Sequence, residues 1–288
     1  MAAPAGAAAA PVTPAVQGAP PGLPQHAVFA GGRLFDAARP LHTGRAPGAR
    51  TLSVVSIAWL RAQPPSVRAA LERRHLSPAE AEFAETLQLP KRRLEWLAGR
   101  LALKHGVCSH RRVHGAGGAP GGHGAHARTP LPRDIQVSAV RDGLRAGKPT
   151  VNAPVEVGLS HSADFAVAVS GQAPVGVDLE HSRDMPPMLA RLLAGDGDAA
   201  ARTPGRRRLA AMPLPLRWAC REAVLKHFGF GLRVDPCEVA LTEWDADGGF
   251  HWRYGPQLRR LVSPADARGL GSWAREIDGY FLALVWKW

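Results

Sequence analysis

VGVDLE, Val175–Glu180, lies well inside a chain of 288 residues and alternates apolar side chains with a glycine and two carboxylates. A period of two is the pattern of a β-strand with one face in a core. Val175, Val177 and Leu179 then face one way, and Gly176, Asp178 and Glu180 the other. The rise of a strand sets the Cα atoms of the two carboxylates about 6–7 Å apart on one face. Like charges so placed cost stability unless a cation lies near them. One reading is a site for Mg²⁺, which takes few protein oxygens and completes its shell with water or substrate phosphate. The other is a strand running out into a charged surface, EHSRD (Glu180–Asp184).

The flanking sequence adds strands on the N-terminal side. PVEVGL (154–159) and DFAVAVSG (164–171) read as a hairpin with its turn at Ser160–Asp164, and a short turn at Gly171–Ala173 leads into VGVDLE. A meander of these three strands puts His161 at the same sheet edge as Asp178 and Glu180. A histidine there is either an exposed bystander or a hydrogen-bond donor to a phosphate oxygen. On the C-terminal side, Pro215 opens a helix through RWACREAVLKHFG and Gly229 ends it. Leu216, Cys220, Ala223, Val224 and His227 share one face, a small-residue seam for packing on a sheet. Trp218, Glu222 and Leu225 point the opposite way, with Arg221 and Lys226 on the flanks. Glu222 and Lys226 form an i,i+4 pair, worth a few tenths of a kcal/mol on a solvated face. Trp and Leu beside that pair point instead to a partly apolar cleft with a second carboxylate.

Further out, TLSVVSIAWL (51–60) reads as a strand, followed by helices around 66–75 and 78–88, the second with a capping box in SPAE (77–80). PKRRLEWLAGRLALKHG is a helix from Pro90 with Gly106 as its C-terminal stop. One stripe of it holds Leu94, Leu97, Ala98 and Leu101. A second, of Arg93, Arg100 and Lys104, is a solvated face or the lining of a phosphate site. Strands recur in DIQVSAV (134–140), VDPCEVAL (234–241), FHWRYG (250–255) and YFLALVW (280–286). Strand clusters before and after helices predict an α+β fold. The division expected is a disordered Ala/Pro-rich extension over 1–50, an N-terminal half over 51–172 and a C-terminal half over 173–288 that carries the site. The N-terminal half holds a low-complexity insertion over 109–130, whose four histidines lack a ligand-like spacing.

The net charge of +12 favours an anionic partner without choosing one. Cys108, Cys220 and Cys237 have no metal-ligand spacing and read as free thiols in a reducing cytosol. No apolar run approaches the roughly 18–20 residues that span a bilayer. The start, without a basic region and broken by prolines, is a poor signal peptide, so a cytoplasmic location is expected.

VGVDLE followed some forty residues later by WACREAVLK resembles the paired signature of the 4′-phosphopantetheinyl transferases. GKP (Gly147–Pro149), LSHS (Leu159–Ser162) and EWLAGR (Glu95–Arg100) stand in the order of the larger, surfactin-type members. The resemblance covers roughly residues 51–288. It implies a pseudo-twofold pair of similar α/β halves, each a small antiparallel-rich sheet packed with helices, with coenzyme A in the cleft between them and a monomeric protein. The reaction implied moves the phosphopantetheine arm of coenzyme A onto a serine of an apo acyl or peptidyl carrier protein and releases 3′,5′-bisphosphoadenosine. The residues implied as Mg²⁺ ligands are Asp178, Glu180 and Glu222. Glu222 is also the base for the carrier serine, and Arg221 and Lys226 neutralise pyrophosphate. Lys148, Ser160 and His161 belong to the nucleotide-binding set, Trp218 to the cleft wall, and Arg93 or Arg100 to the 3′-phosphate. Such roles suit the chemistry, because a serine hydroxyl needs a base and a pyrophosphate needs cations fixed in advance. Carrier proteins are commonly acidic, which suits a basic enzyme.

Position 221 is Arg where the family usually has Lys, and no acidic residue stands clearly between the two signatures where many members supply another, Asp196 and Asp198 lying instead in a Gly-rich stretch. Two other readings stay open. One is a nucleic-acid-binding protein using the arginines at 91–93, 111–112 and 206–208, although few aromatics interleave with them and no known nucleic-acid motif is present. The other is an inactive relative acting as a binding scaffold.

Overall fold

The computed structural model describes residues 33–114, 130–195 and 203–288. In chain order its strands are β1 (Leu41–Ala46), β2 (Arg50–Ser56), β3 (Val137–Ala139), β4 (Pro149–Val151), β5 (Glu156–Ser162), β6 (Phe165–Gly171), β7 (Val175–His181), β8 (Val239–Trp244), β9 (Phe250–Tyr254), β10 (Leu270–Ile277) and β11 (Tyr280–Lys287). Its helices are α1 (Ile57–Ala62), α2 (Pro65–His75), α3 (Pro78–Thr86), α4 (Pro90–His114), α5 (Pro187–Ala194), α6 (Pro204–Ala211), α7 (Leu214–His227) and α8 (Pro256–Leu261). The fold is α+β. A four-stranded sheet in the order β1-β2-β6-β5 and a three-stranded sheet in the order β10-β11-β7 form its centre, and two-stranded ribbons, β3-β4 and β8-β9, lie beside them.

Alternation decides the layers. Leu52 and Val54 of β2 and Phe165, Val167 and Val169 of β6 share a core with Val175, Val177 and Leu179 of β7 and with Leu282 and Leu284 of β11. The intervening Val55, Ala166 and Ala168 pack instead with Leu97, Leu101 and Val107 of α4. On the other side, Ala283 and Val285 of β11 meet Cys220, Ala223 and Val224 of α7. The order of layers is therefore α4, first sheet, second sheet, α7. Among the described residues, no helix is long and apolar enough to cross a membrane.

Several sequence expectations change. The extension expected over 1–50 joins the fold by Leu41: β1 pairs antiparallel with β2, and Leu34 and Phe35 are buried. Residues 1–32 lie outside the described residues. Gly106 does not stop α4, which runs on to His114. Its missing side chain serves packing, since a Cβ would stand 3.2 Å from Ser170 Oγ and 3.4 Å from Ser53 Cβ. The first part of the expected insertion is thus helix, and residues 115–129 are outside the described set. The capping box at Ser77 and Glu80 is present, and Pro215 lies in the first turn of α7. Leu225 is wholly buried, so α7 is apolar beyond the seam expected from its sequence.

The meander is also corrected. SHS ends β5 rather than forming a turn, and the turn is Ala163–Asp164. β7 is hydrogen-bonded to β11 and not to β6. It runs beside β5 in the same direction, where side chains replace a backbone ladder: Ser160 Oγ accepts from Leu179 N at 3.3 Å and Ser162 Oγ from His181 N at 2.9 Å. The two central sheets meet along this seam.

Candidate active site

Gly176 determines how closely helix meets strand. A Cβ on it would lie 2.0 Å from Ala223 O and 2.5 Å from His227 N, so only glycine lets α7 lie directly on β7. That contact brings the polar side of α7 onto Asp178, two residues along the same face of the strand. Asp178 is buried, with 2% of its surface exposed. Its Oδ1 accepts from Ser160 Oγ at 2.8 Å and from Lys226 Nζ. Lys226 Nζ also stands 3.0 Å from Glu222 Oε2 and 3.2 Å from Ser160 Oγ. Asp178 Oδ2 is buried and has no hydrogen-bond partner among the described residues.

Glu180 completes the group at its outer edge. Its carboxylate accepts from the Trp218 indole and pairs with Arg183 at 3.3 Å. Burial pushes Glu180 up, with the neighbouring Glu222 adding to the push and Arg183 opposing it. Burial likewise raises the Asp178 carboxyl, to about 7, against the pull of Lys226, while Glu222 and Glu180 push the same way. Lys226 is held above the usual ammonium range: burial lowers it, but Asp178 and Glu222 outweigh that cost. Three carboxylates thus lie within electrostatic reach of one another, and Lys226 bonds to two of them. The surplus is negative. Among the described residues no set of three or more His, Cys, Asp or Glu side chains stands in metal-holding geometry, and Lys226 Nζ bridges Asp178 and Glu222.

The nucleotide-binding residues expected from the sequence are spread more widely. Ser160 is in the site, but strand alternation turns His161 the other way, onto α4, where Nε2 lies 3.6 Å from Glu95 Oε2. Lys148 pairs with Glu156 Oε2 at 2.8 Å and lies over Gly229, past the end of α7. Arg221 is buried and donates to Pro236 O at 3.4 Å, beside Asp235 and Cys237. Arg93 makes a two-point pair with Glu72, at 3.2 and 2.9 Å. Arg100 and Lys104 both turn to Glu80, at 3.5 and 2.5 Å, and Lys104 has no exposed surface. The basic stripe of α4 is therefore neither a solvated face nor bare of counter-charge. Burial lowers the pKa of Arg100 and Lys104. Asp196 and Asp198 lie outside the described residues.

Glu95, which the sequence presents only within EWLAGR and without a role, is the partner of His161 and also pairs with Lys91, its i,i+4 neighbour on the helix, at 3.8 Å. The sequence marks Glu80 only as part of a cap, yet it accepts from Ser77 N, Lys104 and Val137 N. Cys108, Cys220 and Cys237 are free thiols. No protein-family model matches the chain, and no curated protein matches it significantly.

Proposed function

We propose that the protein is a 4′-phosphopantetheinyl transferase, moving the phosphopantetheine arm of coenzyme A to a serine of an apo carrier protein in the cytoplasm. The observation that carries this reading is the convergence of Asp178, Glu180 and Glu222 around Lys226, from two sequence signatures some forty residues apart. The unpartnered Asp178 Oδ2 and the negative surplus fit a cation, since buried acceptors are normally satisfied. Asp178 and Glu222, with Glu180 beside them, would hold Mg²⁺, which when bound neutralises the pyrophosphate of coenzyme A.

The chain's own residues supply the remaining chemistry. Glu222 lies at the mouth of the group, 13% exposed in its side chain, where it can take the proton of a carrier serine. Lys226 fixes a positive charge against Asp178 and Glu222 before any substrate arrives, which suits a developing phosphate charge. Ser160 and Trp218 hold Asp178 and Glu180 in place. His161, steadied by Glu95, faces outward with half its side chain exposed, available to a phosphate oxygen.

Binding tests the reading first. Coenzyme A titrated into the full chain by calorimetry should bind in the presence of Mg²⁺ and bind at least tenfold more weakly to Glu222→Gln, a loss of about 1.4 kcal/mol. Equal binding to both proteins would count against it.

A further inference from the structure

A cavity of about 610 Å³ lies at the opposite end of α4 from Glu95 and His161, among β1, the end of α2, the C-terminal half of α4 and the segment from Pro130 to Arg133. It shares no residue with the Asp178 site. Its charge is one-sided: Arg74, Arg112 and Arg133 line it with His75 and His105, and no carboxylate does. Arg74 and Arg112 form no hydrogen bond and no salt bridge among the described residues. Arg133 pairs with Asp134 at 4.0 Å. Elsewhere in the N-terminal half, arginines such as Arg93 and Arg100 point at carboxylates.

The imidazoles are prepared in a specific way. His75 is 93% buried by its 7% exposure, and its Nδ1 donates to Leu71 O at 2.9 Å, which leaves Nε2 for another partner. The His105 ring lies 5.1 Å from it, tilted by 44°. The charged groups facing the pair, Arg74, Lys104 and Arg112, are all cations. Burial chiefly, and these cations in addition, push His75 down and His105 down to about 4. An anion among them would reverse that balance and let Nε2 take a proton.

We infer that this cavity binds a small phosphate-bearing anion, gripped by Arg74, Arg112 and Arg133 with His75 and His105, whose apolar part lies against Leu41 and Leu131. Guanidinium forks match phosphate oxygens in two-point geometry. The volume is that of an ordinary small-molecule site. The inference stands apart from the transferase reading.

The test uses phenyl phosphate, which joins a phosphate monoester to an apolar ring, titrated into the full chain by calorimetry and followed by the imidazole C2–H resonances. One site per chain is expected, with the His75 and His105 resonances moving toward the protonated position. Inorganic phosphate should bind more weakly because it leaves Leu41 and Leu131 unused. Arg74→Ser and Arg112→Ser should each weaken binding about tenfold. Neither side chain has a hydrogen-bond or ion-pair partner among the described residues, so thermal unfolding should be unchanged. Glu222→Gln should bind the probe as the parent does. The inference is overturned if millimolar phenyl phosphate leaves both imidazoles unmoved, or if binding survives both arginine changes.

Discussion

Ser160 Oγ donates to Asp178 Oδ1 across 2.8 Å, joining the first sheet to the second at the candidate site. The same oxygen accepts from Leu179 N at 3.3 Å. Ser160→Ala would leave that amide without a partner in a buried seam, and Asp178 Oδ1 with Lys226 alone. A loss of about 1–3 kcal/mol in urea unfolding is expected, and an unchanged midpoint would show that the hydroxyl holds neither group.

Lys226→Met removes the ammonium that compensates Asp178. A buried charge stripped of its partner costs about 3–5 kcal/mol. Asp178 already sits above the usual carboxylate range through burial, and losing Lys226 moves it further up. Its folded pKa then exceeds its unfolded one, so the variant is most stable at acid pH and loses stability as pH rises through the folded value. Urea midpoints at pH 5 and pH 8 should diverge in that sense further than the parent's do, and adding Asp178→Asn should remove the excess.

His110 and His227 run in the opposite sense. Both are buried, and burial lowers each to about 4. The unfolded chain binds protons near pH 6.5, so their contribution is complete above that pH and is lost as pH falls toward 4. Replacing both with Gln should flatten the acid side of the stability profile relative to the parent, while equal slopes would indicate that neither imidazole is held neutral.

Gly176→Ala places a methyl group 2.0 Å from the Ala223 carbonyl oxygen. Both neighbours are backbone, so α7 must shift, and a destabilisation of about 3 kcal/mol is expected from overpacking. Circular dichroism melting checks it, and a parent-like melting temperature would mean that the helix is not seated on the strand.

The parts of this fold that were legible are those whose signal is local. VGVDLE carries its own alternation, and the first turn of α7 and the Ser77–Glu80 cap are marked by proline, serine and glutamate at fixed offsets. β1 was missed because LHTGRA, at a sheet edge, is half-exposed and lacks alternation, although Pro47–Gly48 marked the turn into β2. The sheet membership of β7 was not legible, since its partner β11 lies about a hundred residues away and the short Gly171–Pro174 turn imitates a hairpin. At the site, Asp178, Glu180, Glu222 and Lys226 came from patterned strand and helix faces. The aim of Arg93, Arg100 and Arg221 depends on Glu72, Glu80 and the Asp235–Cys237 turn, tertiary partners that no helical periodicity reveals.

Intact mass reports group transfer itself. The full chain is mixed with Mg²⁺, coenzyme A and a panel of apo acyl and peptidyl carrier proteins, alongside Asp178→Ala and Glu222→Gln variants whose folding is checked by melting. The parent should add a phosphopantetheine mass to at least one carrier, with both variants folded and inactive. No transfer to any carrier at any Mg²⁺ concentration, or full activity in folded Asp178→Ala, would contradict the proposed transferase function.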